Sequence, residues 1–239
     1  VEFLLHPVGF NVLACADPSQ RPLVASGVLS AFKKQFGDSW GPRLEHILRN
    51  SLLTLLETPE STLVTLVRLL GDERYRKAAA ARVADPVVRA FWEHEFAAWP
   101  ARLQAEALAP VQNKVGHYVS SPLLRNIVGQ PQNRLNLRRM MDDGTVLLVN
   151  LSKGRLGDDA SALLGALLVT ALQLAALSRA DRPEQERRDF FLYVDEFQHF
   201  ATDSFATILS EARKYRLSLT LANQYLAQTD EQTRAAVFG

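Results

Sequence analysis

The segment FFLYVDEFQHF, Phe190 to Phe200, constrains the fold of this chain more than any other part of the sequence. Its first five residues, Phe190 to Val194, are all apolar, which is typical of a strand buried on both faces. Asp195 and Glu196 follow directly. Open α/β sheets bind ligands at the carboxyl ends of their strands, so the two carboxylates are predicted to lie at a binding edge.

Acids at such an edge are suited to nucleotide hydrolysis, in which one holds the Mg²⁺ shell and another polarises the attacking water. The pattern is common, however, and its other interpretation is a strand end whose acids simply face solvent. A second apolar strand, predicted from Leu217, ends in Ala222-Asn223-Gln224. In a parallel sheet both strand ends open on one edge, so Gln224 can reach Glu196. The alternative interpretation of Gln224 is a side chain that caps the following loop. The two strand ends together favour a nucleotide site, and this is our prediction.

Three regions of the chain differ in pattern. Residues 1–21 hold short apolar runs that suggest a strand and a loop leaving a sheet, and residues 22–143 show apolar stripes at helical spacing and predict an all-α domain. Residues 144–239 alternate strands and helices, which predicts βαβ units and a parallel sheet. The elements predicted there are a strand at Thr145–Leu151, a helix from Asp158 to about Ala180, a strand at Phe190–Asp195, a helix from Phe205 to about Tyr215 and a strand at Leu217–Gln224.

The stretch from Ala160 to Ser178 carries no charge and is long enough to span a bilayer. Ser161, Thr170 and Gln173 dilute its apolar character, and two aspartates precede it as a signal for a helix N-terminus. We therefore predict a helix buried between a sheet and a second layer, rather than a membrane span.

Bulk properties restrict the function only weakly. The net charge is +1, so any contact with nucleic acid must come from local patches. Two basic clusters are candidates for phosphate contact, although such clusters are usually solvated helix faces: Arg74, Arg76, Lys77 and Arg82, and then Arg134, Arg138 and Arg139. Cys15 is the only cysteine, which excludes an internal disulfide, and the five histidines lack the spacing of a zinc site.

One part of an ATPase is missing from the sequence, because no G-x-x-x-x-G-K-[ST] phosphate loop occurs in it. SKGRLG, Ser152 to Gly157, has the wrong spacing and order and is predicted to be a strand-to-helix turn. We expect the chain to be a fragment of a longer protein and inactive alone. Arg213 and Lys214 end a predicted helix, where basic residues ordinarily complement the helix dipole. The functional alternative for Arg213 is an arginine finger.

Several segments together resemble the coupling ATPases of type IV secretion and conjugation, within the FtsK–HerA class of P-loop DNA pumps. The segments are PVGFNVLA (7–14), WGPRLEHILRNSLLTLLE (40–57), DPVVRAFWEHEF (85–96), VLLVNLSKGRLG (146–157), FLYVDEFQHF (191–200) and EARKYRLSLTLANQ (211–224). The resemblance implies an α/β fold with a RecA-like P-loop ATPase core. Its parallel sheet, flanked by helices, is incomplete in this chain and carries an inserted all-α domain.

The resemblance also implies ATP and Mg²⁺ as cofactors and assigns roles to residues. Asp195 matches the acid of the Walker B strand that coordinates Mg²⁺ through water, and Glu196 matches the catalytic base. Gln224 matches the glutamine that senses the γ-phosphate. Arg213 matches the arginine finger that acts across the interface of a homo-hexamer. The family's phosphate loop, first core strand and membrane anchor are expected upstream of Val1.

The implied function is ATP-driven movement of DNA or nucleoprotein at the cytoplasmic face of the inner membrane. The implied partners are DNA or a relaxase–DNA complex, which the helical domain engages, and the proteins of a secretion channel. Two alternatives stay open. One is another DNA motor of the same class that serves repair or chromosome segregation, and the other is a non-catalytic DNA- or protein-binding module whose acids are structural.

Overall fold

The computed structural model describes residues 1–3, 5–202, 211–224 and 234, with the side chain of Asp38 excepted. The chain divides into two compact units. The sheet unit consists of Val1–Glu2, Ser30–Gln35 and Asn136–Gly239, and the helical unit consists of Phe3–Leu29 and Phe36–Leu135. The predicted division at residues 21 and 143 stays a prediction.

Helices make up the regular structure described in the helical unit. They are α1 (Arg21–Phe36, which the division between the units crosses), α2 (Pro42–Leu56), α3 (Leu63–Gly71), α4 (Glu73–Ala80), α5 (Pro86–Ala90), a π-helical turn (Phe91–Phe96), α6 (Ala101–Ser120) and α7 (Pro122–Val128). Two short 3₁₀ turns, Pro18–Gln20 and Gly37–Ser39, flank α1. The sequence encodes several of these starts, since Thr62, Asp72 and Asp85 accept hydrogen bonds from backbone N–H groups of α3, α4 and α5.

The apolar stripe predicted between Trp40 and Glu57 forms the buried face of α2, which confirms that prediction. The buried leucine and isoleucine side chains of α2 are Leu44, Ile47, Leu48, Leu52, Leu55 and Leu56. Trp92 packs against the same helix and donates a hydrogen bond from Nε1 to Thr54 Oγ1 at 2.7 Å. This bond satisfies two buried polar groups inside an apolar core.

The sheet unit contains α8 (Leu137–Asp143), α9 (Lys153–Leu156), α10 (Asp158–Ser178), β1 (Phe190–Val194) and β2 (Leu217–Leu221). The segment Asp158–Asp181 is apolar and long enough to cross a membrane by length and composition, and 72% of its most apolar window is buried inside the protein. Such burial is what a core helix requires, as predicted. Short 3₁₀ turns follow α10 at Arg179–Asp181 and Glu184–Glu186.

The two described strands confirm the predicted parallel pairing. β1 and β2 run parallel with Phe190 opposite Leu217 and Val194 opposite Leu221. Ala212–Tyr215 form a 3₁₀ turn just before β2, whereas residues 205–210 of the predicted preceding helix lie outside the described residues.

Buried Arg179 fixes the amino ends of both strands. Its guanidinium is 0% exposed and donates to the carbonyl of Arg188, before β1, and to the carbonyl of Tyr215, before β2. Asp142 of α8 lies 3.3 Å from Arg179 Nε. Burial lowers the pKa of Arg179, and the charge of Asp142 opposes that effect. The paired charge therefore ties α8 and the end of α10 to the sheet.

Three expectations for strands were wrong. The described residues among 1–20 form no strand, and neither does Thr145–Leu151. Val1 instead forms two backbone hydrogen bonds with this segment: its nitrogen donates to the Leu148 carbonyl, and its carbonyl accepts from Asn150 N at 3.2 Å. A β-strand needs a longer series of hydrogen bonds to a neighbouring strand than these two. An apolar pattern in the sequence does not by itself show that a neighbouring strand is present.

The third wrong expectation is burial of β1 on both faces. Phe191 is 59% exposed and Tyr193 is 72% exposed. Their neighbours Phe190, Leu192 and Val194 are partly buried. The alternation arises because no described element covers the side of β1 from which Phe191 and Tyr193 project.

Candidate functional site

The backbone after β1 is held against the end of β2, which places the acid pair. Ala222 N donates to Val194 O at 2.9 Å, and Phe197 N donates to Ala222 O at 3.1 Å. Between these bonds Glu196 adopts a left-handed conformation, with φ 51° and ψ 43°. A side chain in this region costs on the order of 1–2 kcal/mol, so the turn is set by its surroundings and not by the preference of glutamate.

The Glu196 carboxylate receives an amide hydrogen bond on each oxygen. Gln224 Nε2 donates to Oε1, and Gln198 Nε2 donates to Oε2. The structure therefore brings together the predicted Glu196 and Gln224 at the carboxyl ends of neighbouring strands. Gln198, which is buried, was missed in the sequence analysis, and only its position two residues after Glu196 could have suggested it.

Asp195 lies at the same edge with an exposed side chain. Its Oδ1 accepts a hydrogen bond from Glu196 N at 3.0 Å. Among the described residues, no group of three or more His, Cys, Asp or Glu residues could enclose a metal ion. An exposed carboxylate is nevertheless a suitable ligand for Mg²⁺, because this ion keeps several waters and typically binds one or two carboxylates plus substrate phosphates.

Lys153 and His199 lie beside Glu196, and neither was predicted to be near it. Lys153 Nζ lies 3.0 Å from His199 Nε2, and that nitrogen lies 3.9 Å from Glu196 Oε2. Burial, followed by the charge of Lys153, lowers the pKa of His199. The sequence placed Lys153 only in a turn, and no spacing rule connects it with His199.

A large cavity runs beside β1 and reaches the acid pair. Its volume is about 1080 Å³, and residues 144–149, one side of α10 and Phe190–Glu196 line it together with Lys153 and His199. Two aliphatic side chains of its wall, Val146 and Leu148, are 83% and 77% exposed. Since β1 pairs only with β2 among the described strands, the cavity borders an open sheet edge.

Arg213 lies away from this edge within the chain. It occupies the 3₁₀ turn before β2, whereas Gln224 follows the end of β2, so the whole strand separates them. Its side chain is exposed, and its carbonyl accepts a hydrogen bond from Arg216 N at 3.1 Å. Arg213 is therefore at the end of the sheet opposite Glu196 in its own chain.

The three arginines predicted to contact DNA have different environments. Arg138 is half-buried and pairs with Asp142 and Asp181, each at 2.8 Å, while Arg139 is exposed and pairs with Asp143 at 3.1 Å. Arg134 is exposed. Burial alone would lower the pKa of Arg138, but its hydrogen bonds with Asp181 and Asp142 raise it. Contact of these residues with DNA stays a prediction.

Comparison with solved structures shows the fold. The chain is similar to the bacterial conjugative coupling protein TrwBdeltaN70 in its unbound monoclinic form, with 16% sequence identity, a TM-score of 0.63 and coverage of 96% of this chain and 53% of that one. It is also similar to the plasmid coupling protein TrwB in complex with the ATP analogue ADPNP, with 15% identity, a TM-score of 0.60 and coverage of 96% and 54%.

A further structure of TrwB, in complex with ADP and Mg²⁺, is similar at 14% identity with a TM-score of 0.56 and coverage of 96% and 54%. No protein-family model matches the sequence, and neither does any curated protein. The chain thus has the fold of part of a conjugative coupling protein, an incomplete α/β core with an all-α part, and spans about half the length of the structures it matches.

Proposed function

We propose that this chain is part of a coupling ATPase that hydrolyses ATP with Mg²⁺ to move DNA or nucleoprotein in conjugation or type IV secretion. One observation carries the proposal. The ends of two neighbouring parallel strands place the amide of Gln224 on the carboxylate of Glu196, directly beside Asp195. The fold that surrounds this edge is similar to structures of TrwB whose printed complexes include ADPNP, GDPNP, and ADP with Mg²⁺.

The residues at the edge have distinct roles in this proposal. Asp195 holds Mg²⁺ through water, and Mg²⁺ neutralises charge that develops on the phosphates. Glu196 accepts the proton of the attacking water, and the amides of Gln198 and Gln224 keep its carboxylate in place. Gln224 also directs its amide toward the γ-phosphate. Binding or loss of the γ-phosphate therefore changes the contacts at the end of β2.

The phosphate cradle in this proposal comes from chain that precedes Val1. Two features support its location in the cavity beside β1. The open edge of β1 and the exposed Phe191, Tyr193, Val146 and Leu148 provide backbone groups and apolar surface for one more strand. Val1 is bonded to Leu148 and Asn150, so any chain joined to Val1 would enter beside the cavity. A strand there would deliver its following loop to Asp195 and Glu196.

Two further roles concern partners. Arg213, exposed at the opposite sheet end, acts on the nucleotide of a neighbouring subunit in a homo-hexamer, where such an arginine contributes about 10³–10⁵ in rate. The helical domain engages DNA or a relaxase–DNA complex. Of the three candidate arginines, Arg134 of the helical unit and Arg139 of α8 in the sheet unit are exposed, so they are better placed for phosphate contact than the half-buried Arg138. Secretion-channel proteins are the remaining partners, at the cytoplasmic face of the inner membrane.

The substitution Glu196→Gln in the full-length protein tests the proposal. It keeps the side chain's size but removes the proton acceptor, so we expect the steady-state ATP turnover to fall by about 10²-fold or more. Glu186→Gln, the same change at an exposed position of the same unit, is the control and should leave turnover unchanged. Undiminished turnover in Glu196→Gln would remove Glu196 from its role.

Turnover and the full-length sequence together separate the alternatives. A full-length protein without measurable turnover would favour the non-catalytic binding module. Turnover that depends on Glu196 in a full-length protein without a transmembrane pair would favour a motor that serves repair or segregation. No observation in the described residues favours either of these alternatives over the coupling protein.

A further inference from the structure

Three side chains from two segments of the chain meet at the acid pair. Lys153 begins α9, His199 ends the 3₁₀ turn Phe197–His199, and Glu196 precedes that turn. The ammonium nitrogen of Lys153 and Oε2 of Glu196 approach the same atom, Nε2 of His199, at 3.0 Å and 3.9 Å. Nε2 of His199 therefore contacts the ammonium group of Lys153 and lies close to the carboxylate of Glu196.

The contact with lysine determines the protonation state of His199. An ammonium group has only donors, so Nε2 of His199 must accept the hydrogen bond, and the imidazole carries its proton on Nδ1 and is neutral. Four charged groups act on this ring: Lys153 and Lys34 lower its pKa, while Glu196 and Asp158 raise it, and burial adds the largest lowering. The neutral form that the geometry requires is therefore also the favoured one near pH 7.

An unshielded Lys153 would change the environment of Glu196. A carboxylate accepts up to about four hydrogen bonds, and the amides of Gln198 and Gln224 use two of these positions. An ammonium group is a strong, charge-assisted donor that would compete with water for the remaining positions. The side chain of Lys153 is about half exposed and has an alternative partner in Asp158, 4.0 Å away, so it is free to turn.

We propose that His199 is a positioning residue that keeps the ammonium group of Lys153 off the Glu196 carboxylate, so that the carboxylate faces the attacking water. The inference rests on the proposed role of Glu196. It predicts that the effect of one substitution depends on the other residue: loss of His199 lowers ATP turnover only while Lys153 is present.

The test is a double-mutant cycle in the full-length protein with ATP turnover as the readout. His199→Ala should lower kcat about tenfold, because Lys153 then pairs with Glu196. Lys153→Met should stay within about twofold of the parent, and the double variant should return to the level of Lys153→Met. Lys33→Met, at an exposed position of α1, is the control for the effect on turnover of losing a lysine charge.

A structural role for His199 gives a different result, since the double variant would then be as impaired as His199→Ala, and this outcome overturns the inference. His199→Gln guards against misfolding, because its amide oxygen can still accept from Lys153 and should retain more turnover than alanine. If Glu196→Gln abolishes turnover but the double variant does not recover, only the inference about His199 fails. If the parent has no turnover, both proposals fail.

A readout independent of catalysis is the titration of His199 followed by NMR of its imidazole Cε1–H. Removing the positive charge in Lys153→Met should raise the pKa of His199, because Lys153 lowers it in the parent. Lys77→Met should leave the titration unchanged. An identical titration in Lys153→Met and the parent would contradict the contact on which the proposal depends.

Discussion

The two ends of the β1–β2 pair are built from opposite kinds of interaction. At the amino end, the buried guanidinium of Arg179 bonds the carbonyls before both strands and is balanced by Asp142. At the carboxyl end, the carboxylate of Glu196 is held by neutral amides beside an open cavity, in a strained backbone conformation. The amino end pairs its charges and holds the strands together, whereas the carboxyl end leaves a carboxylate beside an open cavity.

The largest expected effect on stability comes from the amino end. Arg179→Met leaves the two carbonyls before the strands unsatisfied, while Asp142 keeps its contacts with Arg138 and Arg182. Each buried acceptor left without a donor costs about 1–3 kcal/mol, so we expect a loss of a few kcal/mol in the free energy of unfolding. Urea denaturation of the purified chain should show this loss as a lower midpoint at an unchanged slope. A loss below about 1 kcal/mol in the free energy of unfolding would mean that Arg179 does not hold the amino ends of the two strands together.

The carboxyl end should respond in the opposite direction. Glu196→Gly removes the side chain from a left-handed position, so we expect the protein to gain about 1 kcal/mol in the free energy of unfolding. The same change should abolish ATP turnover in the full-length protein.

Glu60→Gly is the matched control, because Glu60 has φ 56° and is exposed in the helical unit. It should give a similar gain in stability with turnover unchanged. A destabilised Glu196→Gly variant would show that the amide bonds outweigh the strain, and would place Glu196 among the structural residues.

The smallest expected effect concerns acid sensitivity at the amino end. The hydrogen bond from Arg138 lowers the pKa of Asp181 below its ordinary value of 3.8. A carboxyl group with a lowered pKa in the folded state stabilises the protein above its unfolded pKa, and this contribution is lost as the pH falls through the folded value. Asp181→Asn should therefore reduce the slope of stability against pH below about pH 4, as measured by thermal unfolding, while Asp189→Asn serves as a comparison.

The sequence was sufficient to predict elements whose pattern is local. The apolar stripe of α2, the uncharged α10 and the strands at Phe190 and Leu217 were recognisable because periodicity or a continuous apolar run requires no knowledge of neighbours. The parallel order of β1 and β2 followed from the chain length between them. The meeting of Glu196 and Gln224 followed in turn, because parallel strands end at one edge.

Tertiary contacts explain what the sequence did not predict. Thr145–Leu151 has the composition of a strand, but a strand also needs a partner, and Val1 supplies only two backbone bonds. Lys153 and His199 come from separate segments, so their contact has no spacing that could be recognised. Arg138 looked like a free basic residue, although Asp142 and Asp181, one of them distant in sequence, engage it.

We propose that the carboxyl ends of β1 and β2 form the nucleotide edge. The decisive experiment is a crystal structure of the full-length protein with a non-hydrolysable ATP analogue and Mg²⁺. We expect the γ-phosphate within hydrogen-bond distance of Gln224, Asp195 in the water shell of Mg²⁺, and Glu196 facing the position of the attacking water. A triphosphate bound at the amino ends of the strands, near Arg179, or a structure in which Glu196 and Gln224 point to different edges, would contradict it.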